Sequence, residues 1–375
     1  MTRTAICELF GIEHPILLAG MGTASTPELA AAVSNAGGLG IMGAAGLGPR
    51  GLRDWIARCR ALTDKPFGID TLLPASVRRG ANLKPLSNGP LPQDLVPQYR
   101  AMAAGFLADE GIQPATDDQI WPEPDGPPMF SKDFFEAQMD VIIEERVPVY
   151  ASGLGSPGPW IERLHANGAK VLAVVGTVRH ARQVVPDGID AIVAQGHDGG
   201  GHNSPIGTMA LIPQVVDAVG DRVPVLGAGG IVDGRGIAAA LMLGASGVWV
   251  GSAFLASEEA GLFDGQKQAI VDATEEGTTV SRAVTGKPAR MIQSKWTKFW
   301  EESEHEPLPM PFQTQVARPA LTAANLAGRS QEINPGFAGQ GIGMIKAVRP
   351  AAAIMADLIA GMDETLDARF KALRG

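Results

Sequence analysis

Short apolar runs recur along the chain, and each is followed by a stretch with the spacing of an amphipathic helix. Most of these runs end in glycine or another small residue, which is typical of buried strands that turn sharply into a helix. Eight runs are therefore predicted to be strands, at 16–19, 39–43, 67–73, 147–153, 170–176, 191–198, 224–230 and 247–252.

The alternation of eight buried strands with helices predicts an α/β fold of the (β/α)8 type, a TIM barrel. Strands that are apolar on both faces indicate a parallel sheet, and right-handed crossovers through the helices would close it. An open, doubly wound parallel sheet is the alternative. The barrel is predicted to comprise residues 1–256 and 336–375.

Two segments interrupt the alternation of strands and helices. Residues 74–128 follow the third strand directly and contain ten prolines with little periodicity, so we predict a Pro-rich insertion that passes over the barrel mouth. Residues 257–335 follow the eighth strand and are rich in helix formers and aromatic residues, as in KWTKFW at 295–300. This second segment is predicted to be a helical cap subdomain over the site.

Composition and charge exclude several classes of protein. With 45% apolar and 19% charged residues, the chain of 375 residues has ample surface to bury and is not disordered. A net charge of −9 without a basic run argues against nucleic acid as a partner. Two cysteines, Cys7 and Cys59, are too few for a disulfide framework, and no apolar segment has the length of a membrane span. We expect a cytoplasmic protein.

The string QGHDGGGH at 195–202 ends the sixth predicted strand, at the face where barrels carry their active sites. The ordinary pKa of histidine suits His202 to accept a proton near neutral pH, and the bare glycines leave room for a flat cofactor or substrate. A metal could use His197, Asp198 and His202, but a clear third protein ligand and helical spacing are both missing. No metal site is therefore predicted.

Glycines also end the seventh and eighth predicted strands, as GAGGI at 227–231 and GS at 251–252. Barrels bind phosphate at this position through bare backbone N–H groups. The pattern GxGxxG occurs at 38–43 and 153–158, but a dinucleotide fold needs an acidic residue about 20 residues after it, which the second match lacks. A phosphorylated cofactor that performs electron chemistry is the favoured interpretation.

Two strings carry a resemblance to a known family. STPELAAAVSNAGGLGIMG at 25–43 and QGHDGGGH resemble signatures of the FMN-dependent nitronate monooxygenase, or 2-nitropropane dioxygenase-like, family. GAGGI, GVWVGSAFLASEEA, TGKPARMI and AGQGIGMI follow in the family's order, so the resemblance covers nearly the whole chain apart from 74–128. It implies FMN as cofactor and His202 in the catalytic position. It also implies FMN contacts from Ala19, Gly20 and Met21 near the ring, from Gln195 and Gly201 along it, and from Gly229, Gly230, Gly251 and Ser252 at the phosphate.

The chain also departs from the family pattern. Asp70 stands where the family commonly has Asn beside the flavin, so we expect an anion in place of an amide donor. The leading hypothesis is a nitronate monooxygenase that oxidises alkyl nitronates with dioxygen to a carbonyl compound and nitrite. The alternatives are an NAD(P)H-dependent flavin reductase of quinones or enoyl thioesters, and a non-catalytic phosphate-binding barrel. An oligomer is compatible with the sequence.

Overall fold

The computed structural model describes residues 2–73, 91–120, 125–129, 131–334, 336–369 and 371–372. Its centre is a barrel of eight parallel strands, namely β1 Ile16–Leu18, β2 Gly40–Gly43, β3 Phe67–Leu72, β4 Val149–Leu154, β5 Lys170–Val175, β6 Ala191–Gln195, β8 Val225–Ala228 and β9 Gly247–Val250. Around the sheet these strands follow one another in the order β1, β9, β8, β6, β5, β4, β3, β2.

The two edges of this sheet meet between β1 and the start of β2. The backbone N–H of Leu18 donates to the carbonyl of Leu39 at 2.9 Å, and the N–H of Leu39 donates to the carbonyl of Ile16 at 3.0 Å. These two bonds form a parallel bridge between Leu17 and Leu39. The predicted TIM barrel is therefore confirmed, and the open doubly wound sheet is not formed.

Helices surround the barrel and fill one part of its interior. Helix α1, Ala5–Phe10, contributes Ile6 and Phe10 to the apolar cluster inside the strands, which includes Leu226 and Trp249. A second, larger cluster lies between the strands and the outer helices. The outer helices are α2 Pro27–Asn35, α3 Pro49–Leu62, α6 Lys132–Glu144, α7 Ile161–Ala166, α8 Val178–Val184, α9 Thr208–Val219, α10 Gly234–Met242, α11 Ser252–Leu255 and α16 Ala351–Glu364. The remaining numbered helices belong to the insertion and to the cap segment, residues 257–335.

The segment predicted to be a helical cap contains helices and, in addition, a β-hairpin. Strands β10, Thr278–Ser281, and β11, Ala289–Ile292, pair antiparallel, and β11 also pairs with the short strand β7, Gly201–His202. These strands were not predicted from the sequence, because each is a run of only four residues and β11 pairs with a partner far away in the chain. The helices of the segment are α12 Asp264–Asp272, α13 Lys295–Glu302, α14 Phe312–Leu326 and α15 Ser330–Ile333.

Part of the predicted insertion packs against the cap segment. Helices α4, Pro92–Asp109, and α5, Asp117–Ile120, come from the insertion, and α4 lies against α14. The ring of Phe106 on α4 meets that of Trp296 edge-on with centroids 5.4 Å apart, and both belong to a core separate from that of the barrel. Residues 74–90 and 121–124 lie outside the described residues. The passage of the insertion over the barrel mouth and the division into domains stay predictions.

Candidate active site

A cavity of about 490 Å³ opens at the carboxyl ends of the barrel strands. This size is within the range of about 300–1,000 Å³ that is usual for ligand and cofactor sites. The structure brings every predicted site residue to its wall. These residues are Ala19, Gly20, Met21, Asp70, Gln195, Gly201, His202, Gly229, Gly230, Gly251 and Ser252.

His202 is held in the wall of the cavity from two sides. Its backbone pairs with Ala289 of the cap hairpin, and its carbonyl accepts a hydrogen bond from Nε2 of Gln195 at 3.0 Å. Nε2 of its ring lies 2.9 Å from Oγ1 of Thr285. Burial, and secondarily the positive charge of Lys287, lower the pKa of His202 to about 4. The imidazole is therefore neutral at pH 7 and can accept a proton.

Thr285 is a lining residue that sequence reasoning did not assign to the site. Its hydroxyl is shared between the His202 ring and the carbonyl of Lys287, which lies 3.4 Å away. When the hydroxyl donates to that carbonyl it can accept from Nε2–H, and Nδ1 of His202 then carries the free lone pair. The sequence offered the string TGKPARMI, which begins at Thr285 and resembles a family motif. The string by itself does not indicate that Thr285 contacts His202.

Asp70 lies within β3, two residues before the end of the strand, and is only 7% exposed. Its Oδ1 accepts a hydrogen bond from the backbone N–H of Gly153 at 2.8 Å. Burial raises the pKa of this carboxyl well above its usual range, and the bond from Gly153 opposes that shift only in part. Burial with a single donor disfavours the charged form of this carboxyl, whereas the sequence alone led us to expect an anion at this position.

Glycine backbone, without side chains, forms the part of the cavity wall that directly follows strands β8 and β9. Gly229 and Gly230 have φ values of 106° and 71°, in the left-handed region that favours glycine. A Cβ at Gly229 would lie 2.6 Å from Oγ1 of Thr208, so only glycine fits here without a shift of its neighbours. The hydroxyl of Ser252 accepts a hydrogen bond from the N–H of Gly339 at 2.9 Å. This wall fits a group that is recognised by backbone amides, such as a phosphate.

His197 and Asp198 do not line the cavity with His202. Nδ1 of His197 lies 2.8 Å from the carbonyl of Ser204, and Oδ2 of Asp198 accepts from the N–H of Thr208 at the start of α9. Both side chains thus hold the loop that carries His202. Among the residues that the structure describes, no cluster of three or more His, Cys, Asp or Glu side chains could hold a metal ion.

The comparisons with known proteins agree with this geometry. The family model described as nitronate monooxygenase matches residues 3–361. The chain belongs to the nitronate monooxygenase family. It is therefore an oxidoreductase, and its site stands at the barrel face where such enzymes carry their chemistry. In the described part of this family member, no helix is both long and apolar enough to cross a membrane.

Three known proteins are similar to this chain over nearly its whole length. The chain is 38% identical over 373 residues to a Mycobacterium tuberculosis protein named "Putative monooxygenase Rv1533", covering 97% of each chain. The structure of a nitroalkane oxidase from Streptomyces ansochromogenes is 33% identical with a TM-score of 0.80, over 97% of this chain and 99% of that one. FabK from Thermotoga maritima is 32% identical in sequence to this chain, and its structure superposes with a TM-score of 0.73. The match covers 99% of this chain and 100% of the FabK chain.

Proposed function

We propose that this oxidoreductase binds FMN in the cavity and oxidises alkyl nitronates with dioxygen to a carbonyl compound and nitrite. The observation that carries the proposal is the imidazole of His202 in the wall of a glycine-lined cavity, with its Nε2 held 2.9 Å from Oγ1 of Thr285. Membership of the nitronate monooxygenase family and the similarity to a nitroalkane oxidase support the same reaction class.

The cavity offers different chemistry to the two ends of FMN. Gly229, Gly230, Gly251 and Ser252 would hold the phosphate through backbone amides and one hydroxyl. Bound FMN would supply the one-electron redox chemistry and the reaction with dioxygen. The flat ring would be held by a lining that includes glycines and small apolar groups, namely Ala19, Gly20, Met21, Gln195 and Gly201.

His202 is proposed to take the proton that must leave the carbon beside the nitro group when a neutral nitroalkane binds. A base needs a free lone pair within reach of that proton, and the neutral ring provides one. Thr285 would fix which ring nitrogen carries the lone pair, because its hydroxyl lies 2.9 Å from Nε2. We assign Thr285 as a positioning residue on this basis.

An anionic substrate is favoured by the charge near His202. Lys287 is half-buried, and its positive charge lies close enough to His202 to lower the pKa of that ring. Burial also lowers the pKa of Lys287, and none of the described carboxylates forms an ion pair with this ammonium group. A nitronate would bring a negative charge toward this cation, whereas a quinone or an enoyl thioester carries none at its reacting atoms.

The deciding experiment is an anaerobic visible spectrum of the purified protein, followed by separate additions of propyl 2-nitronate, NADH and NADPH. We expect a flavin band that the nitronate bleaches and that neither nicotinamide bleaches within the time of one turnover. Fast bleaching by NADH or NADPH would replace this proposal with the alternative, an NAD(P)H-dependent reductase. A colourless protein that stays colourless after addition of FMN would favour the non-catalytic barrel.

A further inference from the structure

Asp70 occupies a position that two glycines leave open for it. A Cβ at Gly20 would lie 2.2 Å from Oδ2 of Asp70, and a Cβ at Gly153 would lie 2.7 Å from Oδ1. Gly153 lies in the neighbouring strand β4, and Gly20 follows β1, which is separated from β3 by β2, so the backbone of two different strand ends approaches the carboxyl closely. Gly20, Asp70 and Gly153 all line the cavity. The carboxyl therefore forms part of the cavity wall on β3.

The two oxygens of this carboxyl differ in whether they accept a hydrogen bond from the protein. Oδ1 accepts from the backbone N–H of Gly153, whereas Oδ2 has no hydrogen-bond donor among the residues that the structure describes. Gly43 on β2, Gly20 beside β1 and Gly153 on β4 surround it, and each of these is uncharged. Of the described charged side chains, none contributes to the pKa of Asp70.

This asymmetry suits a protonated acid better than a carboxylate. A buried carboxylate needs donors or a cation at both oxygens, and the described part of the chain supplies one donor and no cation. A protonated acid needs one donor at its carbonyl oxygen and one acceptor at its hydroxyl. The side-chain amide of asparagine has the same pattern, with a carbonyl that accepts and an NH2 group that donates.

We propose that Asp70 is a neutral acid in the native protein and donates a hydrogen bond from Oδ2 to an acceptor atom on the ring of the bound cofactor, as an amide would. The part that concerns the cofactor rests on the proposed binding of FMN. Under this proposal the acid does not place a negative charge beside the ring. The difference between Asp and the Asn common in the family is then small in hydrogen-bonding terms.

The protonation state can be measured in the whole protein without turnover. We would record the infrared spectrum of the purified protein at pH 7 for wild type and for Asp70→Asn, and look for the carbonyl stretch of a protonated carboxylic acid. Wild type should show this band and Asp70→Asn should lack it. Asp190 pairs with Lys170 at 3.4 Å and with His165 at 2.8 Å outside the cavity lining, so Asp190→Asn is the matched control and should keep the band.

The donor role is tested by equilibrium titration of apoprotein with FMN for wild type, Asp70→Asn and Asp70→Ala. Loss of the donor in Asp70→Ala should raise the Kd about 10-fold or more, and Asp70→Asn should restore it to within about threefold of wild type. The midpoint potential of bound FMN should also agree between wild type and Asp70→Asn, because neither carries a charge at this position.

The possible outcomes separate the two proposals. If wild type and Asp70→Asn show the same infrared spectrum, or if Asp70→Asn raises the midpoint potential of FMN as loss of an anion would, the neutral-acid proposal is wrong. Equal Kd values for Asp70→Ala and wild type would overturn the donor role. If wild type binds no FMN, the proposed function fails, while the infrared band still reports on Asp70.

Discussion

Oγ1 of Thr285 lies 2.9 Å from Nε2 of His202, although 83 residues separate the two in the chain. His202 follows the sixth barrel strand and Thr285 lies in the hairpin between β10 and β11. The pairing of Ala289 with His202 holds the two chain segments side by side. The cap segment thus contributes directly to the proposed proton-accepting group.

Replacement of Thr285 by Val removes the hydroxyl and keeps the shape of the side chain. We expect kcat/KM for a neutral nitroalkane to fall about 10-fold, because the ring tautomer is no longer fixed by a hydrogen bond. Thr285→Ser should retain most of the activity, and the FMN Kd should be unaffected in both variants. Steady-state kinetics with flavin titration would check this, and equal kcat/KM for the Val and Ser variants would contradict the positioning role.

Replacement of His202 by Asn removes the proposed base. We expect FMN to remain bound, with turnover of a neutral nitroalkane lowered about 10²- to 10⁴-fold, since general base catalysis typically contributes that much. His180 is exposed on an outer helix, so His180→Asn is the control and should behave as wild type. Turnover by His202→Asn at the wild-type rate would show that another group takes the proton.

The lowered pKa of His202 predicts an unusual acid limb in the pH profile. Activity that depends on the neutral ring should persist well below pH 6.5 and fall near pH 4. Kinetics of kcat/KM against pH with a neutral nitroalkane would measure this limb. A limb near pH 6.5 would mean that the ring is less buried than the structure indicates.

The same shift links His202 to stability. Between pH 6.5 and about 4 the unfolded chain binds the proton more readily than the folded one, so the free energy of unfolding decreases as pH falls through this window. The contribution is up to about 3 kcal/mol. Urea unfolding of wild type and His202→Asn at several pH values should show a shallower decline in the variant. If the free energy of unfolding changed with pH in the same way in wild type and His202→Asn, protonation of His202 would not contribute to the pH dependence of stability.

Lys287→Met tests whether positive charge near His202 matters. Loss of the ammonium group should raise the pKa of His202 toward its ordinary value and raise KM for propyl 2-nitronate about 10-fold. KM for the neutral 2-nitropropane should change less. Lys298→Met, on helix α13 of the cap segment, is the comparison variant. Equal changes in KM for both substrates would argue against recognition of an anion.

We predict that no residue with a side chain can replace Gly20 without moving Asp70. Alanine at this position would place its Cβ 2.2 Å from Oδ2 of Asp70, so Asp70 would have to move out of the cavity wall. We expect Gly20→Ala to weaken FMN binding at least 10-fold or to destabilise the fold. Gly105 lies within helix α4 with open space around it, and Gly105→Ala should raise Tm slightly. Titration with FMN and thermal unfolding would separate the two effects, and wild-type affinity in Gly20→Ala would contradict the packing argument.

The sequence was sufficient for the barrel because each strand is signalled locally. The predicted run at 170–176 corresponds to β5, Lys170–Val175, and the run at 67–73 corresponds to β3, Phe67–Leu72. Such apolar runs bounded by glycine depend only on neighbouring residues. The cap hairpin was not signalled in this way, since β11 pairs with β7, a two-residue strand that lies far from it in the chain.

The sequence could predict which residues line the cavity, but not their electrostatics. The glycines and His202 lie at strand ends, and strand ends converge at one face of a barrel whatever the details of packing. The proposed protonation of Asp70 depends on how deeply the carboxyl is buried, and the contact of Thr285 with His202 depends on how the cap segment folds back. Neither quantity is encoded in a short motif.

The core shared by α4 and the cap segment constrains any exchange of parts between members of the family. Phe106 of the insertion packs on Trp296 and Phe299 of the cap, and Tyr99 stacks on Trp300 with ring centroids 5.6 Å apart. A chimaera that received only residues 257–335 from a relative would leave one half of this core facing a foreign surface. Transplanting the cap segment from one enzyme to another therefore requires helix α4 of the insertion to be transplanted with it, so that the two act as one unit encoded at two separate places in the gene.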